Sequence, residues 1–180
     1  IYAVMIIVVA TVTAWAMALL LNLQPEEFPS FVVPPVALFF LRLIASFCGV
    51  FGFSIMFNSP VRLAATAAFI GMIANTLRLE MVDLADCPPA MAAFLGSLTA
   101  GLLASLLQKP LGFPRISITV PSIVIMVPGL YLYRAVYNLG EMYLGDSASW
   151  LASALLIVLA LPLGLIFARI ITDRSFRHCS

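Results

Sequence analysis

Long apolar runs, each cut off by a short polar or proline-rich stretch, set the rhythm of this chain. Ile1–Leu21 has Thr11, Thr13 and Trp15 as its polar handles and is long enough to span a bilayer as a helix. A polar, acidic, proline-broken loop follows at Asn22, Gln24-Pro25-Glu26-Glu27 and Pro29. Pro34-Pro35 open a second run, which carries Arg42 and ends near Phe57. Asn58-Ser59-Pro60-Val61-Arg62 is a tight connection, with its proline placed to begin a helix. The third run, Val61 to Leu79, carries Asn75 and closes on Arg78 and Glu80, before a loop with Asp83, Asp86 and Pro88-Pro89. The fourth, Ala90–Gln108, stops at Lys109-Pro110, and Gly112, Pro114 and Arg115 complete its turn. The fifth is Ile116–Gly140, and the sixth runs from Ser147 to Ile171. The pattern predicts an all-α, polytopic membrane helix bundle of about six transmembrane spans.

The fifth run differs from the rest because Pro121 and the pair Pro128-Gly129 interrupt it. A proline inside a helix removes a backbone hydrogen bond and clashes with the preceding turn. In hydrocarbon such a break survives only where protein or water surrounds the freed backbone groups. From Ser117 to Pro128 is about 17 Å of helix and from Pro128 to Gly140 about 18 Å at the standard rise. The break is therefore expected near mid-membrane. A second half-helix then starts at Leu130 with its free N–H groups and positive dipole end facing the membrane interior. Transporters use that geometry to hold anionic groups of a substrate.

Composition sharpens this picture. Of 180 residues, 63% are apolar and 9% charged, against roughly 45–50% and 25% in soluble domains. A soluble globular domain is excluded. The net charge of +1 says little, but the placement of charge says more. Alternate loops carry Arg62, then Lys109 and Arg115, then Arg169, Arg174 and Arg177; the other loops carry every acid except Asp173. Loops rich in Lys and Arg are cytoplasmic, which predicts that both ends of the chain are cytoplasmic. Ile1 begins inside an apolar run without a charged n-region, which is no signal peptide. Residues 1–23 are read as a transmembrane helix, 36–171 as the main membrane domain, and 172–180 as a cytoplasmic tail.

Small residues recur at helical spacing: Ala92, Gly96, Ala100 and Ala104 on one strip, Ser97, Gly101 and Ser105 beside it, and Ala160, Gly164 and Ala168 in the sixth run. Such strips let helix backbones approach closely in lipid, and they mark interfaces rather than chemistry.

Candidate chemistry gathers after the break. Tyr131, Arg134, Asn138 and Glu141 fall on one helical face. Arg134 lies about 8 Å along the axis from Gly129. An intramembrane arginine is a functional hypothesis by default; the alternatives are snorkelling to the acidic surface or pairing with Glu141. Arg42, about 9 Å deep, poses the same choice. Asn75 is either glue between helices or a ligand contact. Ser117, Thr119 and Ser122 either line a polar path or re-satisfy backbone groups freed near the prolines. The candidate substrate-binding set is Pro128, Gly129, Leu130, Tyr131, Arg134, Asn138, Ser122, Arg42 and Asn75. No nucleophile–base pair, metal-ligand spacing or phosphate-cradling loop is present, so no enzyme activity, cofactor or nucleic-acid partner is expected.

At Val120-Pro121 and Val127-Pro128-Gly129-Leu130-Tyr131-Leu132-Tyr133-Arg134 the sequence resembles the threonine/serine exporter family, in its C-terminal membrane half. Phe57-Asn58-Ser59-Pro60-Val61-Arg62 and the small-residue stretch Ala93–Gly101 are similar as well. The resemblance covers Val36 to Ile171 and implies that the helix within residues 1–23 is the last of a preceding half. It implies secondary export of small amino acids or related carboxylates across the inner membrane, together with a complementary membrane half, fused or separate. The competing expectation is a membrane scaffold or assembly subunit that transports nothing, and a homo-oligomer is open under either.

Overall fold

The computed structural model describes residues 2–21 and 34–173, and every element in it is helical. The acidic loop with Glu26 and Glu27 and the tail with Arg174 and Arg177 lie outside the described residues. The helices are α1 (Tyr2–Leu20), α2 (Pro35–Met56), α3 (Val61–Leu84), α4 (Pro89–Leu111), α5 (Arg115–Val124), α6 (Gly129–Gly140) and α7 (Leu144–Thr172). They form two compact units, residues 1–32 with 129–154 and residues 33–128 with 155–180.

Prolines punctuate the second unit. Pro34, Pro60, Pro88 and Pro114 stand immediately before α2, α3, α4 and α5, each with φ between −52° and −58° and ψ between 136° and 142°. A ring that fixes φ near this value pre-organises the chain for a helix start, where the missing N–H costs nothing. Helix ends use left-handed residues: Gly112 at φ 69° closes α4, and its N–H bonds the Gln108 carbonyl at 3.0 Å. Asn58 at φ 57° turns the chain between α2 and α3, and Asn tolerates this conformation better than most side chains.

That turn makes α2 and α3 an antiparallel hairpin whose rungs can be followed in order. Arg42 pairs with Glu80 and Asp83. One turn on, Asn75 Nδ2 donates to Ser46 Oγ at 2.9 Å. A further turn on, Val50 packs on Gly71, where a Cβ would come within 2.7 Å of its methyl. Val50, Ala67 and Ala68 are fully buried and form a small core with Phe47, Phe51 and Ile125 around them.

The two small-residue strips of α4 face different neighbours. A Cβ on Gly96 would lie 3.1 Å from the Ala74 carbonyl of α3. A Cβ on Gly101 would lie 2.5 Å from Ala168 of α7, and one on Gly164 of α7 would lie 2.5 Å from the Phe94 carbonyl and 2.9 Å from the Leu98 nitrogen. Phe94 and Phe167 close this seam edge to face at 5.6 Å. With no hydrophobic driving force between helices in lipid, this closeness is what holds them.

Three helices are long and apolar enough to cross a membrane among the described residues, Pro35–Met56, Pro89–Gln108 and Leu144–Thr172, and a fourth crossing follows if α5 and α6 together make one. In α1 the apolar helical stretch is the shorter Val8–Met17, which falls short of that set. At 24 residues α3 has the length, but it carries Arg62, Arg78, Glu80 and Asp83 and does not join that set. The fifth run also departs from expectation at one proline. α5 continues through Pro121 to Val124, and the chain leaves the helix only at residues 125–128. Pro121 deprives α5 of a single hydrogen bond, which a buried helix survives when its neighbours hold it.

Candidate functional site

In the second unit, the segment between α5 and α6 is held by α3. Met126 and Val127 close tight turns onto the Ile123 and Val124 carbonyls at 2.9 and 3.2 Å. The Met126 carbonyl then accepts from Arg78 Nη1 of α3 at 2.8 Å. Gly96 of α4 makes room for this arrangement, because a Cβ there would meet Arg78 Cβ at 3.2 Å and Met126 Sδ at 3.4 Å. Gly71, Asn75 and Arg78 share one face of α3, and a Cβ on Gly71 would meet the Ser122 carbonyl of α5 at 2.8 Å. Met126 and Ser122 are both fully buried. Next to the Asn75–Ser46 hydrogen bond, Asn75 Oδ1 and Thr76 Oγ1 are buried with no hydrogen-bond partner among the described residues, an uncommon condition that costs free energy unless something satisfies it.

In the first unit, α6 starts at Gly129, where a Cβ would project into open space. Leu130 beside it is 60% exposed. Further along, the Arg134 guanidinium lies over the Trp150 ring of α7, 4.7 Å from its centroid, and Tyr131 packs on the same indole at 5.6 Å. Stacking uses the face of a guanidinium and leaves its N–H edge available. Ser147 Oγ, at the start of α7, donates to the Ala135 carbonyl at 2.7 Å and fixes the spacing of the two helices. The Asn138 amide donates to the Arg134 carbonyl at 2.8 Å, so it is occupied along its own helix.

The sequence matches the threonine/serine exporter family, ThrE, over residues 42–171. The chain belongs to this family. The match runs from the Arg42 turn of α2 to the last turn of α7, so both the α3-braced segment and α6 fall within it. No curated protein and no solved structure matches the chain. Family and apolar helices together make it a membrane-embedded, multi-pass transporter-type protein.

The residues singled out in the sequence fall into separate settings. Arg42 is bound by Glu80 at 2.8 Å and by Asp83. Asn75 joins two helices while keeping one oxygen unpartnered. Ser122 Oγ donates to the Thr119 carbonyl at 2.8 Å and Thr119 Oγ1 to the Arg115 carbonyl at 3.1 Å, so both hydroxyls serve their own helix. Pro128 is buried, while Gly129 and Leu130 are exposed. Arg134 meets Trp150, and no ion pair with Glu141 forms among the described residues. Two participants were not expected. Arg78 had appeared only as a helix-ending cation, although its offset from Asn75 and Gly71 places it on their face. Trp150 had no signal beyond being aromatic.

Proposed function

We propose that this chain is one membrane half of a secondary exporter of small amino acids, threonine and serine foremost, or of related carboxylates, and that it works with a complementary membrane half. The observation that carries the proposal is the interrupted helix inside the family-matched stretch: α6 opens at Gly129 into unoccupied space, with Arg134 a turn and a half along. The substrate carboxylate binds at the N-terminus of α6, where backbone N–H groups and the positive end of the helix dipole favour an anion. The N–H edge of Arg134 supplies the counter-charge, and Tyr131 and Trp150 orient it. Pro128 keeps α5 and α6 from rejoining, because an amide without N–H cannot continue the helical ladder.

In the membrane, about six spans, with the break at mid-depth, place both ends on the cytoplasmic side of the inner membrane. The alternation of basic and acidic loops supports that orientation. Cysteines placed at positions 112 and 144 test it: labelling from outside in intact cells should reach 144 and not 112.

Transport is tested by counterflow of labelled threonine, serine and succinate in proteoliposomes that hold this chain with its complementary half. Saturable counterflow is expected. Flux that never saturates indicates a passive channel, and no flux with well-inserted protein indicates a scaffold. Pro128→Ala, which lets the helix re-form, and Gly129→Leu, which fills the space at the start of α6, should each abolish counterflow while insertion persists.

A further inference from the structure

A charged cleft lies among the last turns of α4 and α7 and the first turn of α5. Its volume is about 890 Å³. Arg115 and Arg169 both line it, with Ser105, Thr172 and Asp173. The Arg115 guanidinium is anchored by neutral groups only, donating to Thr172 Oγ1 at 3.0 Å and to the Gly101 carbonyl at 3.2 Å. Those bonds aim it without cancelling its charge. Arg169 faces the Asp173 carboxylate across 3.8 Å. Among the described residues, the lining holds two cations and one carboxylate. The start of α5 lines the same space through Pro114, Arg115 and Ile116, and no side chain caps it, so the first-turn N–H groups add a further attraction for an anion.

The walls decide what kind of anion. Leu106 and Ile116, both on the rim, are 71% and 69% exposed, and Ile166 beside them is 45% exposed. A free phosphate has no use for apolar walls, whereas a lipid lays its acyl chains along them. Basic pockets between membrane helices are a known way to hold acidic headgroups. We propose that this cleft binds an anionic phospholipid, the singly charged phosphodiester between Arg115 and Arg169 and the acyl chains along Leu106 and Ile116. The bound lipid ties α4, α5 and α7 together at one end of the unit. The site is independent of the transport proposal, since none of its residues belongs to α6.

The test offers the purified chain equal amounts of phosphatidylglycerol and phosphatidylcholine in detergent and counts retained lipid by native mass spectrometry. A charge-assisted contact of this kind corresponds to about tenfold or more in affinity, so phosphatidylglycerol should be retained over phosphatidylcholine by that margin. Arg115→Gln with Arg169→Gln should bring the ratio to about one. Arg62→Gln, an exposed cation outside the cleft, should leave it unchanged. If the double variant does not fold, Arg169→Gln alone decides, with an expected several-fold loss of preference. Equal retention by the wild type, or an undiminished preference in Arg169→Gln, overturns the proposal. Inorganic phosphate that displaces phosphatidylglycerol at millimolar concentration and raises the melting temperature as much assigns the site to free phosphate and overturns the lipid.

Discussion

Arg42 and Arg134 look alike in the sequence, each a lone cation inside an apolar run, yet their surroundings have little in common. Arg42 is gripped by two carboxylates of α3, Glu80 and Asp83. Arg78, on the same helix, gives its guanidinium to the Met126 carbonyl. Arg134 has an aromatic face beneath it and no acceptor for its N–H groups among the described residues. A cation in an apolar environment is expensive unless paired and hydrogen-bonded. Where the fold supplies the acceptors, the charge serves the structure. Where it supplies only a platform, the donors stay open, and the carboxylate proposed above would meet them with two oxygens that match the guanidinium fork.

The contrast can be broken one residue at a time. The largest effect is expected at Arg134. Arg134→Gln removes a charge-assisted contact worth about 1.5–3 kcal/mol, so the apparent KM for threonine should rise about 10- to 100-fold with the melting temperature nearly unchanged. Arg134→Lys keeps the charge without the planar fork and should fall between. Next is Arg78→Met, which leaves the Met126 carbonyl without its donor. The penalty for such an orphan is about 1–3 kcal/mol, visible as a lower melting temperature, with transport falling because the segment before α6 loses its brace. Arg42→Gln should cost less, about 1 kcal/mol or below, because Glu80 and Asp83 are 22% and 50% exposed and water can take over their solvation. Adding Glu80→Gln and Asp83→Asn should recover most of that stability, and transport per folded molecule should not change. A KM shift in Arg42→Gln as large as that in Arg134→Gln would erase the distinction. The smallest effect is Gly129→Ala: its Cβ meets open space, so stability should move by about 0.5 kcal/mol or less.

Much of this architecture is legible in the sequence. Apolar runs ended by prolines gave the helices, Asn58-Ser59-Pro60 gave the hairpin turn, and the strips through Gly96, Gly101 and Gly164 gave seams whose backbones now lie in contact. The Pro128-Gly129 interruption stood out because both residues act against a helix at once, whereas Pro121 overstated the case: one missing hydrogen bond did not end α5. Periodicity could not say which cation meets which acceptor. The register of α2 on α3 brings Arg42 to Glu80 and Asp83, and no sequence pattern marks a backbone carbonyl such as Met126 as the target of Arg78. Trp150 escaped notice because contact between α6 and the start of α7 depends on their packing, not on the spacing within either. The span count was hard for a related reason, since α3 mixes the length of a crossing with the charges of a surface helix.

The central claim, that Arg134 and the start of α6 hold the substrate carboxylate, is tested most directly by threoninol, which carries an alcohol in place of that carboxylate. Inhibition of threonine counterflow by threonine and by threoninol is compared in the wild type and in Arg134→Gln, both reconstituted with the complementary half. The wild type should prefer threonine by about 10- to 100-fold, and the preference should collapse toward one in Arg134→Gln. A preference that survives the substitution undiminished would place the carboxylate elsewhere and contradict the account.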